Sequence, residues 1–268
     1  MIIDTTHGAV AGASRSHFVH RNLLDLDRLE TFLCARARPY VPLEACLRGE
    51  GDAFTLDDST VAAAAAARLA RRLGHAVTLF INGWNIEQAK PYFFSRLNVA
   101  LDNACARPVT FQGASHDLRS PQGKQRFRAM VKSRLARMGA EADRQDLVTE
   151  VGQLLGVPDL SVPDYLKPLT LAELKELAGE GVDIQNHGWT HVQIGALPDK
   201  AHAADIRTGR DWLELQVGTD AGLFAVPNGD GLPRTPGFGG CRAWFLLDAR
   251  RPAGPCGPGL INRRTLKL

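Results

Sequence analysis

Hydrophobic and polar positions along this chain follow first one period and then another, and together they set out a series of helices and strands. Across residues 22–38, Leu26, Leu29 and Leu33 recur at helical spacing with Asp and Arg between them, and Pro39 ends that helix. The short apolar run 53–56 reads as a strand. Ser59 and Thr60 can cap the next element, an alanine-rich helix over 61–74 closed by Gly74. Residues 76–82 read as a buried strand broken by Gly83, and a helix is predicted over 87–103. Beyond Arg107 the pattern loosens into a short strand at 108–113, a basic amphipathic helix over 123–139 and a further helix at 146–155. Regularity returns with a capped helix at 170–181 and a strand at 182–185. A helix at 200–215 and strand-like runs at 222–226, 243–247 and 260–262 complete the chain. Six or seven strands separated by helices or long loops predict an α/β fold, a distorted or incomplete (β/α) barrel of about seven parallel strands. A doubly wound sheet fits less well, because no glycine-rich dinucleotide turn follows any strand.

The 268 residues suit one such unit, so a single domain over 1–268 is expected, with 107–165 a mostly helical insertion. The net charge of +3 gives no reason to expect nucleic acid. Only the stretch from Arg119 to Arg137 is concentrated in cations; it reads as a solvated helix face or as a surface for an acidic ligand or partner. No basic-then-apolar leader opens the sequence and no run approaches the roughly 20 apolar residues of a membrane span, so a cytoplasmic protein without a membrane span is expected. Five scattered cysteines without a CxxC pair suggest reduced thiols.

Two places carry candidate chemistry. Asp57 and Asp58 close the strand at 53–56, and His187 and His191 stand four apart just beyond the strand at 182–185. In parallel α/β architectures such strand ends are where sites are built. Taken singly, Asp58 also reads as an acid at a helix start, and the two histidines as incidental polar residues. The i, i+4 spacing would put both imidazoles on one face of a helical turn, within reach of one ion.

Together the segments resemble the polysaccharide deacetylases, the NodB-homology or carbohydrate esterase family 4 hydrolases. The family's first motif, TFDDG, is similar to Thr55-Leu56-Asp57-Asp58-Ser59, and its H-[ST]-x-x-H motif is similar to His187-Gly188-Trp189-Thr190-His191. "AVTLFINGW" resembles the strand between them, and Phe224-Ala225-Val226-Pro227-Asn228-Gly229 the loose third motif. Residues 107–165 match poorly. The resemblance implies a NodB-like distorted barrel and one divalent metal ion, zinc above all with cobalt or nickel as alternatives. It implies metal ligands at Asp58, His187 and His191, and a general base at Asp57. Three departures stand out. Ala225 takes the place of the third motif's arginine, Ser59 replaces the glycine of the first motif, and no histidine follows His202 to supply the family's general acid. Arg263 and Arg264 near the terminus are poor proton donors, and His17, His20 and His116 are the candidate substitutes. Trp84 and Trp189, with Pro227 and Asn228, are candidate substrate contacts, and residues 227–240 read as a loop over the rim.

The function expected is removal of an N-acetyl or similar acyl group from an amino sugar or glycan precursor, by metal-activated water with an aspartate base. Two alternatives stand beside it: a deacylase of a small non-sugar amide or specialised metabolite, and a degenerate member that binds a ligand without turning it over.

Overall fold

The computed structural model describes residues 1–14, 17–193, 196–229 and 238–268. Its main sheet is parallel except at one edge. Its order is Gly254–Gly257, Leu260–Asn262, Ala243–Leu246, Leu223–Ala225, Asp183–Asn186, Thr78–Ile81, Ala53–Asp57, Ile3–Thr6 and Arg264–Thr265. The two ends of this order meet in one stretch of chain. Leu260–Asn262 pairs with Ala243–Leu246, and two residues on, Arg264–Thr265 pairs with Ile3–Thr6. Residues 260–265 therefore close the sheet into a seven-position barrel, and Arg263 is the residue at the seam. Only Gly254–Gly257 runs antiparallel, as an outer hairpin strand.

Alternation along the strands explains what faces the inside. In Ala53–Asp57 every residue is buried, as expected for a strand covered on both faces. Phe54 and Leu56 join the apolar layer beneath the helices, with Leu29, Leu79 and Leu174. Ala53 packs inside with Phe80, Ala225 and Phe245, and Thr55 and Asp57 continue that inner row toward Arg263. The helix Val61–Arg72 is capped by Thr60, whose hydroxyl accepts from the Ala63 N–H at 3.2 Å, and its buried alanines let it lie close against the sheet.

Several boundaries differ from expectation. The strand Ile3–Thr6 escapes hydropathy because three of its four residues are the buried polar groups Asp4, Thr5 and Thr6. Of the helix predicted over 87–103 only Phe93–Asn103 forms as one helix; a separate short helix, Gly83–Glu87, precedes it, and Pro91 lies between them. The first helix is shorter, Leu26–Cys34. The expected strand at 108–113 is half of an antiparallel hairpin, Pro108–Phe111 with Ala114–Asp117, outside the barrel.

The helices Pro121–Leu135 and Glu141–Leu155 pack with Phe93–Asn103 around their own apolar cluster of Leu97, Leu101, Phe127, Val131, Val148 and Val151. This helical segment lies against the C-terminal rim of the barrel, where Arg128 and Lys132 line the same cavity as Asp57 and His187. No helix among the described residues is long and apolar enough to cross a membrane.

Candidate active site

Asp57 is the last residue of its strand, and Asp58 adopts φ 71°, in the left-handed region that a non-glycine residue enters only at a cost. That turn brings two successive carboxylates to one cavity although strand neighbours face opposite ways. His187 directly follows Asp183–Asn186. The segment after it is not a helical turn: Gly188 and His191 take φ 84° and 52°. The expected helical face is replaced by an irregular loop whose two positive-φ residues fold His191 back over His187, ring centroids 5.0 Å apart.

Buried polar groups hold this loop. Asn82 Nδ2 donates to the carbonyls of His187 and Gly188 at 2.6 and 3.1 Å. The Asp205 carboxylate, on the helix Asp199–Val217, accepts from the backbone N–H groups of Trp189 and Thr190 and from the Thr190 hydroxyl. Arg144, in the insertion, donates to the Thr190 carbonyl at 2.8 Å. His187 Nδ1 donates to the Ala225 carbonyl at 2.8 Å, which fixes the tautomer and leaves Nε2 as an acceptor.

The donor atoms then converge. Asp58 Oδ1 lies 3.7 Å from His187 Nε2 and 3.5 Å from His191 Nε2. All three side chains are buried, and Oδ1 has no hydrogen-bond partner among the described residues. Ligand bonds of about 2 Å at tetrahedral angles set neighbouring donor atoms about 3.3 Å apart, so the three residues fit a divalent cation. Burial raises the Asp58 carboxyl well above its usual range, and the Asp57 charge adds to this. Burial likewise lowers His187 to about 4, against the opposing pull of Asp57, and lowers His191 well below the usual range. Neutral imidazoles beside an orphaned carboxylate oxygen are what a cation would complete.

Asp57 has a different partner. Arg263, 2% exposed at the barrel seam, grips it with two parallel bonds of 2.6 and 2.7 Å and also donates to the hydroxyls of Thr5 and Thr55. Burial works to raise the Asp57 carboxyl, but the Arg263 charge and hydrogen bonds, with His187 nearby, bring it down to about 2. Arg263 lies between the strands Leu260–Asn262 and Arg264–Thr265, so the arginine that pairs with Asp57 comes from the barrel seam and not from the position of Ala225. Ser59, where the motif has glycine, hydrogen-bonds Tyr92 Oη at 2.7 Å and donates to the Asn82 carbonyl.

These groups open on a cavity of ≈220 Å³ whose wall includes His7, Asp57, Asp58, His187, His191 and Phe94. His7 directly follows the first strand, Ile3–Thr6, which lies next to the Asp57 strand in the barrel, and nothing in the sequence pattern singled it out. Gly8 after it has φ 133°, and a Cβ there would stand 2.6 Å from the Ala62 carbonyl carbon, so the chain can pass this close to the alanine helix only as glycine.

Other expected residues lie elsewhere. Trp84 and Trp189 do not line the cavity. They sit behind the histidine loop, with the Trp84 N–H donating to the Trp189 carbonyl and Trp189 packed on Trp212. Pro227 is buried beneath the rim, whereas Asn228 reaches the cavity wall. Residues 230–237 of the expected rim loop lie outside the described residues. His20 bonds to Tyr165, and neither it nor His17 or His116 lines the cavity. Arg264 pairs with Asp4 instead of entering the site.

A family model for polysaccharide deacetylase matches residues 51–236. Among solved structures, the fold is similar to the Streptococcus pyogenes deacetylase PplD in complex with acetate, with TM-score 0.60 and 12% identity over 99% of this chain and 92% of that one. It is also similar to IcaB from Ammonifex degensii, with TM-score 0.59 and 13% identity over 99% and 91% of the two chains. No curated protein matches the sequence.

Proposed function

The chain belongs to the polysaccharide deacetylase family, and on that premise we propose that it hydrolyses the N-acetyl, or similarly small acyl, amide of an amino sugar or glycan precursor. The observation that carries this reading is the buried, unpartnered Asp58 Oδ1 facing both histidine Nε2 atoms, beside a second carboxylate held by arginine. Asp58, His187 and His191 would hold one divalent ion, zinc first and cobalt or nickel as alternatives. Such an ion supplies polarisation of the amide carbonyl and acidified water.

The remaining work falls to the chain's own groups. Asp57, kept ionised by Arg263, receives the proton released as water adds to the carbonyl carbon. Its low basicity suffices for water already acidified. His7, protonated by solvent through the cavity, delivers that proton to the amide nitrogen as the C–N bond breaks, so that the products are acetate and a free amine. A histidine whose burial lowers its pKa, as at His7 despite the nearby Asp57 charge, is a stronger acid once protonated. Phe94 and Leu247 give the wall an apolar portion for an acyl methyl or a sugar face.

The binding-only alternative draws on the absent third-motif arginine and the absent C-terminal histidine. His7 lines the cavity and Arg263 lies behind it, bound to Asp57, so groups of matching chemistry stand at the site, which favours the hydrolase. Zinc-loaded protein is expected to release acetate from N-acetylglucosamine oligosaccharides. Asp57→Asn is expected to cut kcat by roughly 10²- to 10⁴-fold with metal retained. Full activity in that variant, metal bound, would remove Asp57 from the mechanism.

A further inference from the structure

Three arginines in the described chain are at least nine-tenths buried: Arg128, Arg144 and Arg263, 7%, 1% and 2% exposed. Arg144 pairs with Glu141 at 2.8 Å, and Arg263 pairs with Asp57. Arg128 has no carboxylate partner among the described residues. Its Nε donates to Asn98 Oδ1 at 2.8 Å, and no other hydrogen bond ties its guanidinium to a described residue. Burial foremost, and then the like charge of Arg21, pull its pKa down to about 10. A guanidinium stays protonated at working pH, so this is a buried cation lacking the counter-charge that burial ordinarily demands.

Its place is telling. Arg128 lies on the wall of the cavity that holds Asp58, His187 and His191, and Lys132, one helical turn on, lies on the same wall with its Nζ 3.4 Å from Asn228 Oδ1. The helix Pro121–Leu135 thus turns one face into the site. Asn98 engages only Nε in the interactions described, which leaves the two terminal nitrogens, a fork suited to a planar oxyanion.

We propose that Arg128, with Lys132 beside it, forms a subsite for an oxyanion carried by the substrate, so that the preferred substrate is an N-acylated amino sugar bearing a carboxylate or a phosphoryl group. This rests on the hydrolase reading for the word substrate, but the binding it predicts can be read without turnover. The carboxylate of an N-acetylated amino-sugar uronate and the phosphate of N-acetylglucosamine 1-phosphate present the same chemistry to the fork, and neutral N-acetylglucosamine presents none.

The test is calorimetric binding of these three sugars to zinc-loaded wild type, Arg128→Gln and Arg128→Lys, with thermal unfolding of each protein alongside. At least one anionic sugar is expected to bind wild type about tenfold or more tighter than the neutral one. Arg128→Gln is expected to abolish that preference and Arg128→Lys to keep part of it. The anionic sugar that gains most identifies the group. Arg128→Gln is also expected to unfold at the same or a higher temperature, because it removes an unpaired buried charge. Equal binding of all three sugars, or an anion preference that survives in Arg128→Gln and so belongs to the metal, would overturn the subsite. Acetate release is a separate readout: its absence from every sugar would count against the hydrolase reading and leave the binding contrast standing.

Discussion

At the scale of single residues, the site is a set of buried polar groups that are meaningful only in pairs. Asp57 and Asp58 are chemically identical neighbours, yet Arg263, against the effect of burial, takes the first down to about 2 while burial and the Asp57 charge take the second well up. Divergent environments of this kind assign roles to equivalent side chains. His7 carries the most specific prediction. His7→Gln is expected to retain metal and to lose at least about 100-fold in kcat on N-acetyl amides. It should lose much less on an aryl acetate, whose leaving group departs without a proton. Equal losses on both substrates would make His7 a structural residue. A second histidine reports on pH. His75 accepts from the Tyr40 N–H through Nδ1 and donates to the Leu33 carbonyl through Nε2, so the fold holds it neutral, and burial lowers its pKa below 6.5. The unfolded chain therefore binds more protons in the window below pH 6.5, and the stability that His75 contributes is full above 6.5 and lost as pH falls through the folded value. The stability gap between wild type and His75→Gln is expected to narrow from pH 7 to pH 5 in urea titrations. A gap that widens would contradict the assigned tautomer.

At the scale of elements, strand ends and one helix position the converging donor atoms of Asp58, His187 and His191. The Asp-Asp pair, its strand and the capped alanine helix were legible in the sequence, because alternation, capping residues and a glycine stop coincide over 53–74. The histidine pair was legible as a pair but not in conformation. Its i, i+4 spacing suggests a helix, whereas Asp205, Asn82 and Arg144 impose an irregular loop from three distant parts of the chain. No local pattern announces such partners. The helix Asp199–Val217 comes so close that a Cβ on Gly209 would lie 2.7 Å from Asn186 Oδ1 and 2.9 Å from the Trp189 nitrogen. Gly209→Ala is therefore expected to fold with a displaced histidine loop, weakening zinc affinity at least about tenfold, the scale of lost support around metal ligands. Unchanged affinity in a competition titration with a chromophoric chelator would show that the loop is held without that close contact.

At the scale of the molecule, closure of the barrel is what relocates the chemistry. Residues 260–265 pair with strands on both sides, which carries Arg263 from the far end of the sequence to the inside of the first two strands. In the sequence Arg263 and Arg264 are only poor proton donors; in the fold Arg263 is the cation that pairs with Asp57. His7 was missed because Ile3–Thr6 is a buried polar strand without an apolar signature, so nothing marked its end as a rim. The segment 107–165 was legible as helices but not as part of the cavity wall. Only the folded chain shows that it sends Arg144 to the histidine loop and Arg128 and Lys132 to the cavity. The central claim concerns the three converging ligands, and the most direct measurement is metal content by mass spectrometry after zinc loading and gel filtration. Wild type is expected to hold about one divalent ion per chain, with the ion lost in Asp58→Ala and in the double variant His187→Ala, His191→Ala. Absence of metal from wild type after incubation with zinc, cobalt or nickel, or retention of a full equivalent in those variants, would contradict the account.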